Sequence, residues 1–174
     1  MKKLQQLREF LIQSVYELKN DPDRLLLKAE SGVPVCSMGD NLSTEYRYTA
    51  RIMILDFASD IDVIMIPILL WISEHQSELL VNPETAKSAI NFEIDVIDNS
   101  KVDIAITIPL TERHIASIDE NGMINISVPP EPQYEPFWPS QEYELQDSAG
   151  NTFAKWTSAD KTGSPLSFSY PNKS

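Results

Sequence analysis

Leu4, Leu7, Leu11, Val15 and Leu18 recur at three- and four-residue steps and stop before Asn20, Asp21 and Pro22. That spacing predicts a helix with one apolar stripe, closed by residues that do not continue it. A short Leu-rich strand is expected over 24–30, with loop residues over 32–41 that let the chain return. Over 42–54 the even positions read Leu, Thr, Tyr, Tyr, Ala, Ile, Ile, whereas the odd positions from 43 to 51 read Ser, Glu, Arg, Thr, Arg. Alternation of this kind predicts a strand with one core face and one face that is wet or touches a partner.

Ser59 or Asp60 can cap a following helix, because a short side-chain oxygen accepts a bond from an unpaired first-turn N–H. This helix is expected to run to about Leu80, to kink at Pro67 and to end at Asn82 and Pro83. Its middle, 63–72, is apolar almost all round, which suits a helix sandwiched between a sheet and another surface. Ile90, Phe92, Ile94 and Val96 are answered by Val102, Ile104, Ile106 and Ile108, predicting a hairpin. Both sets are even-numbered, so they share a face only across a loop of odd length, and Asn99-Ser100-Lys101 serves as a three-residue loop. In that register Asp95 faces Ala105, Asp103 faces Ile97 and Glu93 faces Thr107, so no two acids oppose each other. Asn121-Gly122 signals another hairpin, from 112–118 to 123–128, whose weaker alternation lets it project beyond the core.

These elements predict an α+β fold: an antiparallel or mixed sheet, with the N-terminal helix and one long apolar helix packed on it, plus the projecting hairpin. Residues 1–128 form the core domain. Five of the twelve prolines fall in 129–139, which predicts an extended arm near polyproline II. The polar segment 140–174 spaces Phe153, Trp156, Phe168 and Tyr170 too widely to build a core unaided, and is expected to be mobile unless a partner holds it.

Charge narrows the choice of partner. The 174 residues carry a formal net charge of -12, with a pI near 4.5, so a duplex phosphate backbone is repelled and no specific nucleic-acid binding is expected. The longest apolar run, 63–72, is half the roughly twenty residues that a helical membrane span needs. One cysteine, Cys36, and no apolar stretch within 1–10 point to synthesis in a reducing cytoplasm.

Catalytic chemistry finds little material. His75 and His114 are far apart and belong to no metal-ligand spacing, and Cys36 has no nearby histidine. No glycine-rich phosphate loop is present. Asp60 and Asp62 read as a cap and a first-turn acid before they read as a cation site. Glu93, Asp95 and Asp103 would be the carboxylates of a hydrolase, but a solvated strand face accounts for them. No catalytic residue, cofactor or metal ligand is therefore assigned. Contact surfaces are better marked: Glu45, Arg47 and Arg51 share the outward face of one strand, where the arginine fork suits the carboxylates of a neighbour. Trp71 reads as a core residue or as an interface anchor, and Tyr134, Phe137 and Trp138 would let the arm lie across an adjacent subunit.

Several of these words occur in a fixed order: NDPDRLLL at 20–27, EYRYT at 45–49, Asp56-Phe57, Asp60, PILLW at 67–71, LLVNP at 79–83, PLTER at 109–113 and PEPQYEP at 130–136. Together they resemble the tail completion protein R family of temperate contractile-tailed phages, over roughly residues 4–138; residue 140 onward departs from the pattern. The resemblance implies a structural, non-enzymatic role late in tail assembly in the host cytoplasm, and then a place in the virion tail. There the protein would finish the head-proximal end so that a filled head can attach. The element order is also similar to that of tail terminator subunits, which by analogy implies a homo-oligomeric ring of sixfold symmetry touching tail tube, sheath or neck proteins. The alternative is a monomeric adaptor that docks its C-terminal arm onto a neck or sheath protein.

Overall fold

Residues 1–36, 43–131 and 141–158 are described by a computed structural model of the chain. The alternating segments become an antiparallel sheet of β1 (Leu25–Cys36), β2 (Thr44–Phe57), β3 (Asn91–Val96), β4 (Val102–Ile118) and β5 (Ile124–Ser127). Its order is β1-β2-β4-β3, and β5 pairs with β4 beyond the last β2 partner, from Ile115↔Ser127 to Ile118↔Ile124. The helices are α1 (Lys2–Ser14), α2 (Tyr16–Asn20), α3 (Asp62–His75), α4 (Glu78–Val81) and α5 (Pro83–Ala89). Even-numbered Ile52, Ile54, Ile104, Ile106 and Ile108 share one buried cluster with Leu7, Leu11 and Leu18 and with Ile64, Ile68 and Ile72 of α3. Burying each such side chain contributes about 1.5–3 kcal/mol, so this face of the sheet holds the fold together.

Two bulges revise the strands. β1 does not stop at residue 30: Ser31 takes φ 53, the pairing slips between Glu30 and Val33, and the strand continues to Cys36. Residues 32–36, expected as loop, are thus strand, and 37–41 lie outside the described residues. In β2, Asp56 also takes φ 53, which reverses the alternation, so that odd-numbered Phe57 follows Ile54 into the core. The backbone N–H of Asp56 donates to Asp103 Oδ1 at 2.8 Å, and Arg24 Nη1 donates to the Asp56 carbonyl at 3.1 Å, pinning the bulge from both sides.

The expected long apolar helix is shorter, and Met65, Ile66 and Leu70 beside its buried stripe also pack against the core. α3 ends at His75, and its buried stripe is Val63, Ile64, Pro67, Ile68, Trp71 and Ile72, while Leu69 is exposed. Asp60 caps it as expected, its Oδ1 accepting from the Asp62 amide at 3.0 Å, whereas Ser59 donates to Glu17 instead. Asn82 closes α4 as expected, and with Pro83 it also opens α5. Asn82 accepts from the Glu84 amide at 2.9 Å, and Pro83 takes the first position of α5, where its missing N–H is harmless.

The N-terminal stripe is confirmed, but Val15 breaks its helix, taking an extended conformation that bridges to Ala154. Ala154 belongs to the hairpin of β6 (Glu142–Gln146) and β7 (Thr152–Thr157), and Ala154 and Trp156 join the buried cluster. The segment expected as a mobile extension therefore includes a folded hairpin against the α1–α2 junction, and 159–174 lie outside the described residues.

Candidate interaction surfaces

The odd phase of β2 faces away from the buried cluster. Glu45 sits between Val35 of β1 and Arg113 of β4, Arg47 between Val33 and Thr111, and Arg51 between Lys28 and Thr107. None of these side chains is buried. Arg47 Nε lies 2.6 Å from Glu45 Oε1, an exposed pair of the kind that contributes about 0–1 kcal/mol. Arg51 is half-buried, and its Nε is shielded from solvent with no hydrogen-bond partner. Lys28, by its hydrogen bond and charge, and then Arg51 hold the Glu30 carboxyl below its ordinary value against the opposing effect of desolvation. Lys28, Arg47, Arg51 and Arg113 thus give this face a basic side.

Its other side is acidic, and here the structure corrects the register. β3 and β4 pair as Asn91↔Thr107, Glu93↔Ala105, Asp95↔Asp103 and Val96↔Val102, two residues away from the expected pairing. The connection is 97–101, closed by the Ile97 amide on the Lys101 carbonyl and by Asp98 Oδ1 accepting from the Ser100 amide at 2.7 Å. The odd-length rule holds, but the loop has five residues, and two acids do stand directly opposite. Like charges so placed destabilise the pair. The helix-side residues of β3 are open as well: Phe92, Ile94 and Val96 are 54%, 40% and 74% exposed.

At the opposite end of β4, a buried polar knot ties the chain's first helix to the sheet. Glu112 occupies the core phase of β4, with its carboxylate accepting from the Lys2 and Lys3 amides at 2.8 and 3.0 Å and from the Tyr48 hydroxyl at 2.6 Å. It is an N-terminal cap supplied from another element. Burial pushes its carboxyl up, but those hydrogen bonds outweigh burial and hold it below the ordinary value. Burial and the Glu112 charge raise the Tyr48 hydroxyl in turn. Lys3 Nζ donates to Gln76 Oε1 at 2.8 Å and pairs with Glu131 at 2.7 Å, while Gln76 Nε2 donates to Thr111 Oγ1 at 2.9 Å. Buried Gln76 is the C-cap of α3, and the Lys3–Glu131 pair ties residue 131 to the first helix; the rest of the expected arm, 132–139, lies outside the described residues. Sequence reasoning missed this knot. Its signal was Lys3, four residues before Leu7 on the apolar stripe, and Glu112, two after Leu110 on the core phase of its strand.

The remaining candidates fall into place. Trp71 is 2% exposed and packs in the core, the plainer of its two readings, stacked on His75 at 4.4 Å between ring centroids. Burial lowers the His75 pKa. His114 lies edge-on to Tyr46 at 5.2 Å, with Nε2 3.7 Å from Glu112 Oε2. Cys36 is exposed. Tyr134, Phe137 and Trp138 lie outside the described residues. Among the described residues no three His, Cys, Asp or Glu side chains gather to hold a metal ion, and no helix is long and apolar enough to cross a membrane.

A model of the family described as P2 phage tail completion protein R matches residues 1–132. The chain belongs to that family. Tail completion protein R of Escherichia phage P2 is 33% identical to it over 158 residues, 90% of this chain and 99% of the relative. A match that long runs past residue 140, so the likeness to the P2 protein reaches part of the segment expected to depart from the tail completion R pattern. No solved structure matches the chain.

Proposed function

We propose that this chain is a structural subunit that completes the head-proximal end of a phage tail, assembling as a closed ring so that a filled head can join. The observation that carries this reading is the match to the P2 tail completion protein across 99% of that relative's length. The geometry supports it: an α+β body spends one sheet face on its own core and leaves the other, with Glu45, Arg47 and Arg51, unburied. A closed ring needs two different patches on each subunit, and the basic and acidic sides of that face are such a pair. The net charge of -12 suits a ring around exiting DNA, because like charge lets the duplex slide without sticking. Electron micrographs of particles made without the protein test the role. Separate full heads beside irregular or over-long tails are expected; normally joined particles would overturn it.

A second reading, a monomeric adaptor that docks on a neck or sheath protein through its proline-rich segment, is favoured by the Lys3–Glu131 ion pair, which ties residue 131 to the first helix. Replacing Tyr134, Phe137 and Trp138 together by alanine separates the two. A ring built by the body still assembles, whereas an arm-dependent adaptor loses its partner.

A further inference from the structure

Among the described residues the sheet ends in two edge strands, β1 and β3, whose chemistry is complementary. Each neighbouring pair in the order β1-β2-β4-β3 is antiparallel, so β1 and β4 run one way and β2 and β3 the other. Laying the β1 edge of one copy beside the β3 edge of another continues that alternation, and the new pair is antiparallel too. Exposed strand edges are templates for such addition. The β1 edge carries Lys28, its side chain 58% exposed and paired with Glu30 of the same strand, whereas β3 carries Glu93 and Asp95 on the same face of the sheet, with Asp95 held opposite Asp103.

We infer that copies of this chain join edge to edge, residues 25–30 of β1 on one copy pairing antiparallel with 91–96 of β3 on the next. This inference rests on the ring reading above and names the surfaces that would build it. The faces fix the register. Leu25 and Leu27 are paired with Ile54 and Ile52 and so lie on the helix side, as do Phe92 and Ile94 through Ile106 and Ile104. Odd residues of β1 must therefore oppose even residues of β3, since a slip of one would turn every side chain to the wrong face. The bulge at Ser31 limits the straight part of β1 to 25–30, which matches the six residues of β3. Full overlap gives Leu25↔Val96, Leu26↔Asp95, Leu27↔Ile94, Lys28↔Glu93, Ala29↔Phe92 and Glu30↔Asn91. Lys28 then stands directly across from Glu93 and diagonal to Asp95, placing a cation beside the like-charged Asp95–Asp103 pair. Phe92 and Ile94, open in the single chain, gain Ala29 and Leu27 as neighbours. Because β1 and β3 differ, the contact is head-to-tail and repeats around a ring.

Cross-linking in assembled particles tests this contact. In a Cys36→Ser background, Lys28→Cys combined with Glu93→Cys is expected to give a ladder of disulfide-linked multimers, while either cysteine alone gives none. Lys28→Glu is expected to weaken self-association of the full chain by more than about tenfold, because it sets like charges across the contact, and adding Glu93→Lys and Asp95→Lys to it is expected to restore association. No ladder in particles whose heads and tails join normally would overturn the edge pairing and leave the completion role standing. A ladder together with normal joining in particles lacking the protein would sink the completion role and keep the pairing.

Discussion

The two faces of one sheet are built from the same strands and do different work. On β2 and β4 the even residues Ile52, Ile54, Ile106 and Ile108 are fully buried, while their immediate neighbours Arg51, Met53 and Thr107 are not. A single residue step thus separates positions that hold the fold from positions free to meet another molecule. Stability and recognition are carried by opposite phases of one alternation, so a protein of this kind can vary its contacts without touching its core.

The sharpest break between the faces is expected at neighbouring positions of β4. Ile106→Ala should lower unfolding free energy by about 4 kcal/mol, against less than about 0.5 kcal/mol for Thr107→Ala, by chemical denaturation. Equal losses would erase the distinction. Glu112→Ala should follow at about 3 kcal/mol, because it leaves the Lys2 and Lys3 amides and the Tyr48 hydroxyl short of an acceptor. Hydrogen exchange should then show α1 opening ahead of the sheet.

Acid should weaken the covered side first. His75 is held below its ordinary 6.5 and Glu112 below its ordinary 4.5, so in both cases the unfolded chain takes up its proton before the folded one. Stability is therefore full above those values and falls as pH drops through 6.5 and again below 4.5. Melting temperature followed against pH should show both steps, and His75→Phe should remove only the upper one. The smallest effect is expected on the open face: Arg47→Ala should change stability by less than about 0.5 kcal/mol, since its partner Glu45 is exposed. A loss comparable with that of Glu112→Ala would show that the arginine face supports the fold.

Much of this contrast was legible in the residues. The alternation over 42–54 marked Tyr48, Ala50, Ile52 and Ile54 of β2 as core, although Tyr46 on the same phase is 40% exposed, and the stripe from Leu7 to Leu18 marked the buried side of the first helix. What failed has local physical causes. Parity demanded an odd loop after β3 but could not choose between three and five residues, and the Asp98–Ser100 turn made that choice. Asn82-Pro83 ends α4 as read, but that the same pair starts α5 shows only in the Asn82 side chain on the Glu84 amide. The bulges at Ser31 and Asp56 put non-glycine residues at positive φ, which nothing in composition announces. The 142–157 hairpin contributes mainly Ala154 and Trp156 to the core, too little apolar content to be seen without the Val15 break that receives it.

The central claim is that surfaces left over from folding are satisfied by sister copies and tail components. A cryo-electron microscopy reconstruction of the assembled tail tests it most directly. The account predicts several copies at the head-proximal end, each touching its neighbours through the arginine face and the open strand edges. A solitary copy with those surfaces in solvent would contradict it.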